Sequence, residues 1–220
     1  MATYLITGTN RGIGLEYCKQ LQAKGETVIA VCRQPSQELE KLGVSIESGV
    51  DVTSDDSVAK LAQRLAGTTI DVLINNAGII EANSLDDLDF ESLERQFQVN
   101  AVSPLRVTKA LLPMIPQGGK IVFMTSRMGS IEDNTSGGFY GYRMSKTALS
   151  MAGKSLAEDL KPHQIAVGIL HPGMVKTRMT DFSGISITES VQGLLERIKE
   201  LNLNNSGTFW HAVKGEVLPW

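Results

Sequence analysis

The stretch Thr7-Gly8-Thr9-Asn10-Arg11-Gly12-Ile13-Gly14 follows the first apolar run of the chain and precedes a helical pattern. Its spacing is G-x-x-x-G-x-G. Glycine lets a backbone turn tightly and approach a phosphate closely, and the amides at a helix N-terminus stabilise negative charge. A glycine cluster can also be an ordinary structural turn. Because this one lies between the first strand and the first helix, we interpret it as a pyrophosphate-binding turn.

Short runs rich in β-branched residues alternate with helical patterns along the chain. The predicted strands are Thr3 to Thr7, Thr27 to Cys32, Val44 to Ser48, Ile70 to Asn75, Lys120 to Thr125, Ile165 to Leu170 and Thr208 to Ala212. The predicted helices are Gly12 to Lys24, Ser54 to Leu65, Phe90 to Ile115, Phe139 to Lys161 and Thr188 to Leu201, with a weaker pattern over Ser36 to Leu42. This alternation is typical of an α/β fold whose parallel sheet is covered by helices on both faces.

The bulk properties fit one domain over residues 1–220. Of the 220 residues, 42% are hydrophobic and 20% are charged, and no linker-like stretch divides them. The formal net charge of −3 gives no electrostatic reason to expect nucleic acid or an anionic membrane as partner. No apolar stretch approaches a membrane span, so we expect a cytoplasmic protein.

The cysteines and histidines do not have the spacing of metal ligands. Cys18 and Cys32 lie in a predicted helix and a predicted strand, and none of His163, His171 and His211 belongs to an HExxH arrangement. We therefore predict two buried free thiols and no metal site.

The residue after the second predicted strand is Arg33. An acid at this place would accept hydrogen bonds from the ribose 2′-hydroxyl of NAD, whereas Arg33 and Arg11 could pair with the 2′-phosphate of NADP. The alternative is that both arginines are solvated surface charges. We predict NADP(H) as the cofactor in preference to NAD(H).

Tyr142 is the only one of the four tyrosines with a lysine four residues later, Lys146. At this spacing the two side chains share one helix face. A nearby ammonium would draw the phenol pKa from about 10 towards neutrality, where the phenol can act as general acid and base. A Y-x-x-x-K pattern alone also fits an exposed helix face, so its meaning depends on the other motifs.

Taken together, the motifs resemble the short-chain dehydrogenase/reductase family along essentially the whole chain. They follow the family's order: Thr7-Gly8-x-x-x-Gly12-Ile13-Gly14, Asp51-Val52, Asn75-Asn76-Ala77-Gly78, Asn100, Ser126, Tyr142-x-x-x-Lys146 and Pro172-Gly173-Met174-Val175-Lys176-Thr177. The segments around Ser126, Tyr142 and His171, with Leu218-Pro219-Trp220, look most like the C-factor and sniffer-type carbonyl reductases.

The resemblance implies a single-domain Rossmann fold, with a doubly wound, seven-stranded parallel sheet in the order 3-2-1-4-5-6-7. It also implies a catalytic set of Asn100, Ser126, Tyr142 and Lys146. The implied cofactor-binding residues are Gly8, Asn10, Arg11, Gly12, Ile13, Gly14, Arg33, Asp51, Val52, Asn76, Ala77, Gly78, Tyr142, Lys146, Pro172, Gly173, Val175 and Thr177.

In the roles that the resemblance implies, Ser126 bonds a substrate carbonyl, Tyr142 protonates its oxygen, and Asn100 organises a proton-relay water. Because the segment between Ser126 and Tyr142 is longer than is usual in the family, Ser130 competes with Ser126. The expected activity is reduction of an aldehyde, ketone or quinone by a homodimer or homotetramer, with a small-substrate pocket beneath the loop Met174 to Ile187. The alternative is an NADP(H)-binding signalling protein of C-factor type with little turnover.

Overall fold

The computed structural model describes residues 1–220 and contains one eight-stranded sheet in the order β3-β2-β1-β4-β5-β6-β7-β8. The strands are β1 Thr3–Thr7, β2 Thr27–Val31, β3 Ser45–Glu47, β4 Val72–Asn75, β5 Lys120–Met124, β6 Ala166–His171, β7 Phe209–His211 and β8 Glu216–Val217. The helices are α1 Gly12–Ala23, α2 Gln37–Glu40, α3 Asp55–Arg64, α4 Phe90–Phe97, α5 Ser103–Leu111, α6 Tyr140–Leu160 and α7 Ile187–Glu200.

The first seven strands are parallel and have the predicted order. The seven predicted parallel strands are confirmed, and the sheet has one further strand that was not predicted, because β8 pairs antiparallel with β7 through Trp210 and Val217. A strand of two residues has no periodic pattern from which a sequence could predict it.

Two hydrophobic cores lie on the two faces of the sheet. Successive side chains of a strand point to opposite faces, so Leu5 packs into one core and Ile6 into the other. Residues of α1 and α7 contribute to the core that contains Ile6, whereas residues of α3, α5 and α6 contribute to the core that contains Leu5. The predicted α/β architecture with helices on both faces is therefore confirmed.

The prediction of one continuous helix from Phe90 to Ile115 is wrong. A π-helical segment, Gln98–Val102, separates α4 from α5, and a 3₁₀ turn follows α5. Pro104 has no N–H to donate to the Asn100 carbonyl four residues earlier, so the regular α-helical bonding cannot continue. The Ser103 hydroxyl donates to the Gln98 carbonyl at 2.8 Å and satisfies part of this interruption.

Both cysteines are buried free thiols, as predicted. Burial raises the pKa of the Cys18 thiol to about 12, so it is an unreactive core group at neutral pH. None of the helices combines the length and the hydropathy that crossing a bilayer requires.

Candidate active site

The glycine turn after β1 has the conformation that its residue types allow. Gly8 and Gly12 have φ values of +73° and +57°, a region that favours glycine. A Cβ on Gly14 would lie 2.2 Å from the Gly8 carbonyl oxygen, so no larger residue fits there. No side chain caps the N-terminus of α1. Its first amides can therefore donate to a phosphate, and this part of the chain fits a dinucleotide.

The end of β4 is fastened to this turn. The Thr7 hydroxyl accepts hydrogen bonds from the backbone amides of Asn76 and Ala77 at 3.0 and 3.1 Å. The Asn76 side chain donates to the Thr7 carbonyl at 2.9 Å and to the Gly8 carbonyl at 3.2 Å. Thr7 is part of the glycine motif but not of the predicted cofactor-binding set, although its position directly before the first glycine was a usable signal for this role.

Arg11 and Arg33 are exposed beside the carboxyl ends of β1 and β2. Asp51 accepts hydrogen bonds from the Thr53 amide and hydroxyl at 2.9 and 2.7 Å. These bonds lower the pKa of Asp51, and the charges of Arg33 and Arg106 add smaller attractions. The edge that the sequence assigned to the adenosine ribose thus presents arginine side chains to solvent.

The loop that follows β6 reaches back to the glycine turn. Gly173 has a φ of +86°, and the Pro172 carbonyl accepts a 2.7 Å hydrogen bond from the Ser190 hydroxyl. Val175 is buried. A Cβ on Gly12 would lie 3.7 Å from the Thr177 methyl carbon, so the loop and the turn bound the same crevice.

Tyr142 and Lys146 are buried together in the first turns of α6. The Lys146 Nζ atom lies 5.7 Å from the centroid of the Tyr142 ring and donates to the Met124 carbonyl at 2.8 Å. Burial lowers the pKa of Lys146 to about 8, since the charged form is penalised away from water.

The expected lowering of the Tyr142 pKa by Lys146 is wrong for this structure. Burial raises the pKa of Tyr142 above 10, and the group that lowers it is the Ser126 hydroxyl. The phenol is therefore protonated at neutral pH. This is the state in which it can donate a proton.

The two candidate serines differ in their contacts. Ser126 ends the extended segment after β5, and its hydroxyl accepts from the Met128 amide at 3.1 Å. The same hydroxyl lowers the pKa of the Tyr142 phenol. The Ser130 hydroxyl accepts from the Asp133 amide at 3.1 Å within a turn. Ser126 therefore acts on the pKa of the proposed proton donor, whereas the bond of Ser130 is local to its own turn.

Asn100 is fully buried in the π-helical segment. Its amide donates to the Ile79 carbonyl at 2.9 Å and to the Ser145 hydroxyl at 3.0 Å, and its oxygen accepts from the Ile79 amide at 2.8 Å. A Cβ on Gly78 would lie 3.2 Å from the Asn100 side-chain oxygen and 3.5 Å from Lys146 Nζ. Asn100 therefore ties the segment after β4 to α6, next to Lys146.

Comparison with known proteins agrees with this arrangement. The family model for short chain dehydrogenases matches residues 2–185. The chain is 40% identical to the 1-hydroxy-2-glutathionyl-2-methyl-3-butene dehydrogenase of Rhodococcus sp. (strain AD45), with all of both chains covered. It is also 45% identical to the C-signal protein of Myxococcus xanthus, over 69% of this chain and 93% of that protein.

Solved structures of carbonyl reductases have the same fold. The NADPH-bound carbonyl reductase from chicken fatty liver superposes with a TM-score of 0.91 at 31% identity, covering 100% of this chain and 99% of that one. The carbonyl reductase Sniffer of D. melanogaster has a TM-score of 0.91 at 32% identity, with both chains fully covered. The resemblance to C-factor and sniffer-type proteins is confirmed, and this chain is an enzyme that belongs to the short-chain dehydrogenase/reductase family.

Proposed function

We propose that this protein is an NADP(H)-dependent oxidoreductase that reduces the carbonyl of an aldehyde, ketone or quinone to an alcohol. The observation that carries the proposal is the burial of Tyr142 and Lys146 side by side, next to a Ser126 hydroxyl that lowers the pKa of the phenol. The carbonyl reductases among the structural neighbours, one of them with NADPH bound, support it.

In this proposal the three side chains act on the substrate oxygen. Ser126 donates a hydrogen bond to the carbonyl, and Tyr142 transfers its proton to the oxygen as negative charge develops there. The Lys146 ammonium stabilises the phenolate that Tyr142 leaves. When bound, NADPH would supply the hydride. These interactions strengthen as the alkoxide develops, so they stabilise the transition state more than the substrate.

The cofactor would lie along the carboxyl edge of the sheet. The amides of Gly12, Ile13 and Gly14 and the turn residues Gly8 and Asn10 would hold the pyrophosphate. Arg11 and Arg33 would pair with the 2′-phosphate, because both are exposed beside the ribose edge. Asp51 and Val52 would flank the adenine, Asn76 to Gly78 would support the cofactor, and Pro172, Gly173, Val175 and Thr177 would hold the nicotinamide carboxamide.

The substrate would bind beneath the loop from Met174 to Ile187. Met174, Met179 and Phe182 of this loop are 58%, 42% and 64% exposed. Large exposed apolar side chains beside a catalytic crevice favour an apolar substrate. We further propose that residues 1–220 act as one domain, with α4 to α6 forming a contact between copies.

The second candidate is an NADP(H)-binding signalling protein with little turnover. The 45% identity to the C-signal protein favours it. The presence of Ser126, Tyr142 and Lys146 favours the enzyme, because a protein that only binds the nucleotide does not need a buried proton donor.

Oxidation of NADPH, followed by absorbance with a panel of aldehydes, ketones and quinones, tests the proposal. We expect turnover with apolar members of the panel and a loss of about 10²- to 10⁴-fold in Tyr142→Phe. Tyr140→Phe, which removes the hydroxyl of the other tyrosine in the same helical turn, is the matched control and should keep its activity. NADPH binding without turnover on any carbonyl would favour the signalling alternative, and full activity in Tyr142→Phe would contradict the mechanism.

A further inference from the structure

The loop between Ser126 and Gly138, called here the 126–138 loop, connects β5 to α6 and contains one proposed catalytic residue at its start. It has little regular structure of its own, apart from a 3₁₀ turn at Arg127–Gly129. Such a segment needs contacts from outside to hold a hydroxyl in a catalytic geometry. The position of Ser126 relative to Tyr142 therefore depends on what fastens this loop.

Arg143, the residue after Tyr142, bonds to both ends of the 126–138 loop. At the beginning of the loop, its Nη1 atom donates to the Met128 carbonyl at 3.3 Å. At the end of the loop, its Nε atom donates to the Gly137 and Gly138 carbonyls at 3.3 and 3.1 Å, and Nη2 donates to the Ser136 hydroxyl at 2.8 Å. One planar guanidinium thus connects segments about ten residues apart, a geometry that lysine cannot reproduce.

The 3₁₀ turn of the loop packs on α6, so the bonds that Arg143 makes to the loop affect the position of Ser126. A Cβ on Gly129 would lie 2.8 Å from the Lys146 carbonyl carbon, so the turn touches the helix backbone. The Thr147 hydroxyl donates to the Gly129 carbonyl at 2.8 Å. Movement of Met128 and Gly129 away from α6 would carry the Ser126 hydroxyl with them, because that hydroxyl accepts from the Met128 amide.

We propose that Arg143 is a positioning residue that acts through Ser126: it fixes the 126–138 loop against α6 and so holds the Ser126 hydroxyl at Tyr142. The inference rests on the proposed function for its catalytic consequence. The backbone contacts of Arg143 with the loop do not depend on that function. Nothing in the Y-x-x-x-K motif itself requires an arginine at this position.

A double-mutant cycle of Arg143→Gln with Ser126→Ala tests the proposal. Arg143→Gln should lower kcat by about 100-fold, the loss expected for a catalytic group displaced by about 1 Å, while the Kd for NADPH stays within about twofold. If Arg143 acts through Ser126, the double variant should lose little more than Ser126→Ala alone. Independent, multiplicative losses would overturn the proposal.

The pH dependence of kcat provides a second test, because a purely structural role of Arg143 would not shift it. Because Ser126 lowers the pKa of Tyr142, displacement of Ser126 should shift the Tyr142 limb of the kcat profile to higher pH. Arg143→Gln and Ser126→Ala should shift it in the same direction. An unshifted limb in Arg143→Gln would count against the proposal.

Two further variants separate geometry from charge. Arg143→Lys retains the charge but cannot span both ends of the loop, so it should lose most of the activity that Arg143→Gln loses; full activity would overturn the proposal. Arg127→Gln removes a charge from the loop itself, where the guanidinium bonds the Asp133 carboxylate at 2.7 Å, and should remain near wild type. An equal loss there would show that charge, and not the connection made by Arg143, is responsible.

Hydrogen exchange distinguishes failure of this inference from failure of the proposed function. Peptides within the 126–138 loop should exchange faster in Arg143→Gln than in the wild type, whether or not a substrate is turned over. Faster exchange in a protein that reduces no carbonyl would leave the contact role intact and would remove the proposed function. Unchanged exchange would overturn the role of Arg143.

Discussion

The Lys146 ammonium lies one helical turn from Tyr142, 5.7 Å from its ring centroid, and donates its hydrogen bond to the Met124 carbonyl at the end of β5. Burial moves the two pKa values apart, because it raises that of Tyr142 above its ordinary value and lowers that of Lys146 to about 8. At neutral pH the phenol is protonated and the amine is still mostly charged. This pair of states suits proton donation to a reduced substrate.

Replacement of Lys146 by methionine should stabilise the protein near pH 7. Because the pKa of Lys146 falls from 10.5 to about 8 on folding, the folded state binds fewer protons than the unfolded state between these values. The contribution of this group to stability therefore rises with pH across that window and is least favourable below it. At 1.36 kcal/mol per pKa unit, the gain in Lys146→Met is at most about 3 kcal/mol at pH 7. Urea denaturation at pH 7 and pH 10 measures it.

The control for this experiment is Lys154→Met, an exposed lysine of the same helix, which should show no such gain. Burial raises the pKa of Cys18 to about 12, and that group acts in the opposite direction above pH 9. For this reason the quantity to compare at each pH is the difference in unfolding free energy between the variant and the wild type. A difference that does not change with pH would contradict the assignment to Lys146.

Substitution of His171 should reduce the sensitivity of the fold to acid. Burial, with smaller contributions from the charges of His211, Arg127 and Lys214, lowers the pKa of His171 from 6.5 to about 3. The folded state therefore resists protonation in this window, and stability falls as the pH drops through it. The His171 Nδ1 atom has no hydrogen-bond partner, so little bonding is lost in His171→Gln.

The expected result for His171→Gln is a loss of unfolding free energy between pH 7 and pH 4 that is smaller than in the wild type, by about 3 kcal/mol. Denaturant titrations at the two pH values measure it. His163→Gln, at an exposed histidine, is the control. Identical acid sensitivity in His171→Gln and the wild type would disprove the prediction.

Ser126→Ala and Ser130→Ala should have different consequences. Ser126→Ala removes a donor to the developing alkoxide, and we expect kcat to fall by about 100-fold. Ser130→Ala removes the acceptor for the Asp133 amide, so we expect near-normal kcat and a loss of about 1 kcal/mol of stability. Steady-state kinetics and thermal denaturation of both variants make the comparison. If only Ser130→Ala abolishes turnover, Ser126 is the wrong assignment.

Arg33→Asp should reverse the cofactor preference. The substitution removes a charge-assisted contact with the 2′-phosphate and places a carboxylate where it can accept from a ribose hydroxyl. We expect the ratio of kcat/KM for NADPH to that for NADH to fall by about 100-fold, because the free energy of hydrogen bonds to a charged group corresponds to a factor of this size. Arg64→Asp, at an exposed arginine of α3, is the control. An unchanged ratio in Arg33→Asp would leave Arg33 as a surface charge.

Much of the fold and of the candidate site could be predicted from local sequence patterns. The glycines at positions 8, 12 and 14 predict a turn that other residues cannot form. The four-residue offset between Tyr142 and Lys146 places both side chains on one helix face, wherever the helix lies in the fold. The β-branched runs give the strands, and the alternation with helices gives the parallel sheet. The order of the strands came from family resemblance, and the structure agrees with it.

The sequence by itself thus determined the elements and the residue types at the carboxyl edge of the sheet, since these follow from backbone sterics and from spacing along one chain segment. Only the tertiary structure decided the ionisation states of Tyr142 and Lys146, the choice of contacts for Ser126, the pairing of β8 and the attachment of the 126–138 loop to Arg143. The physical reason is that burial and hydrogen bonding depend on groups brought together from distant parts of the chain, and no local pattern records their distances.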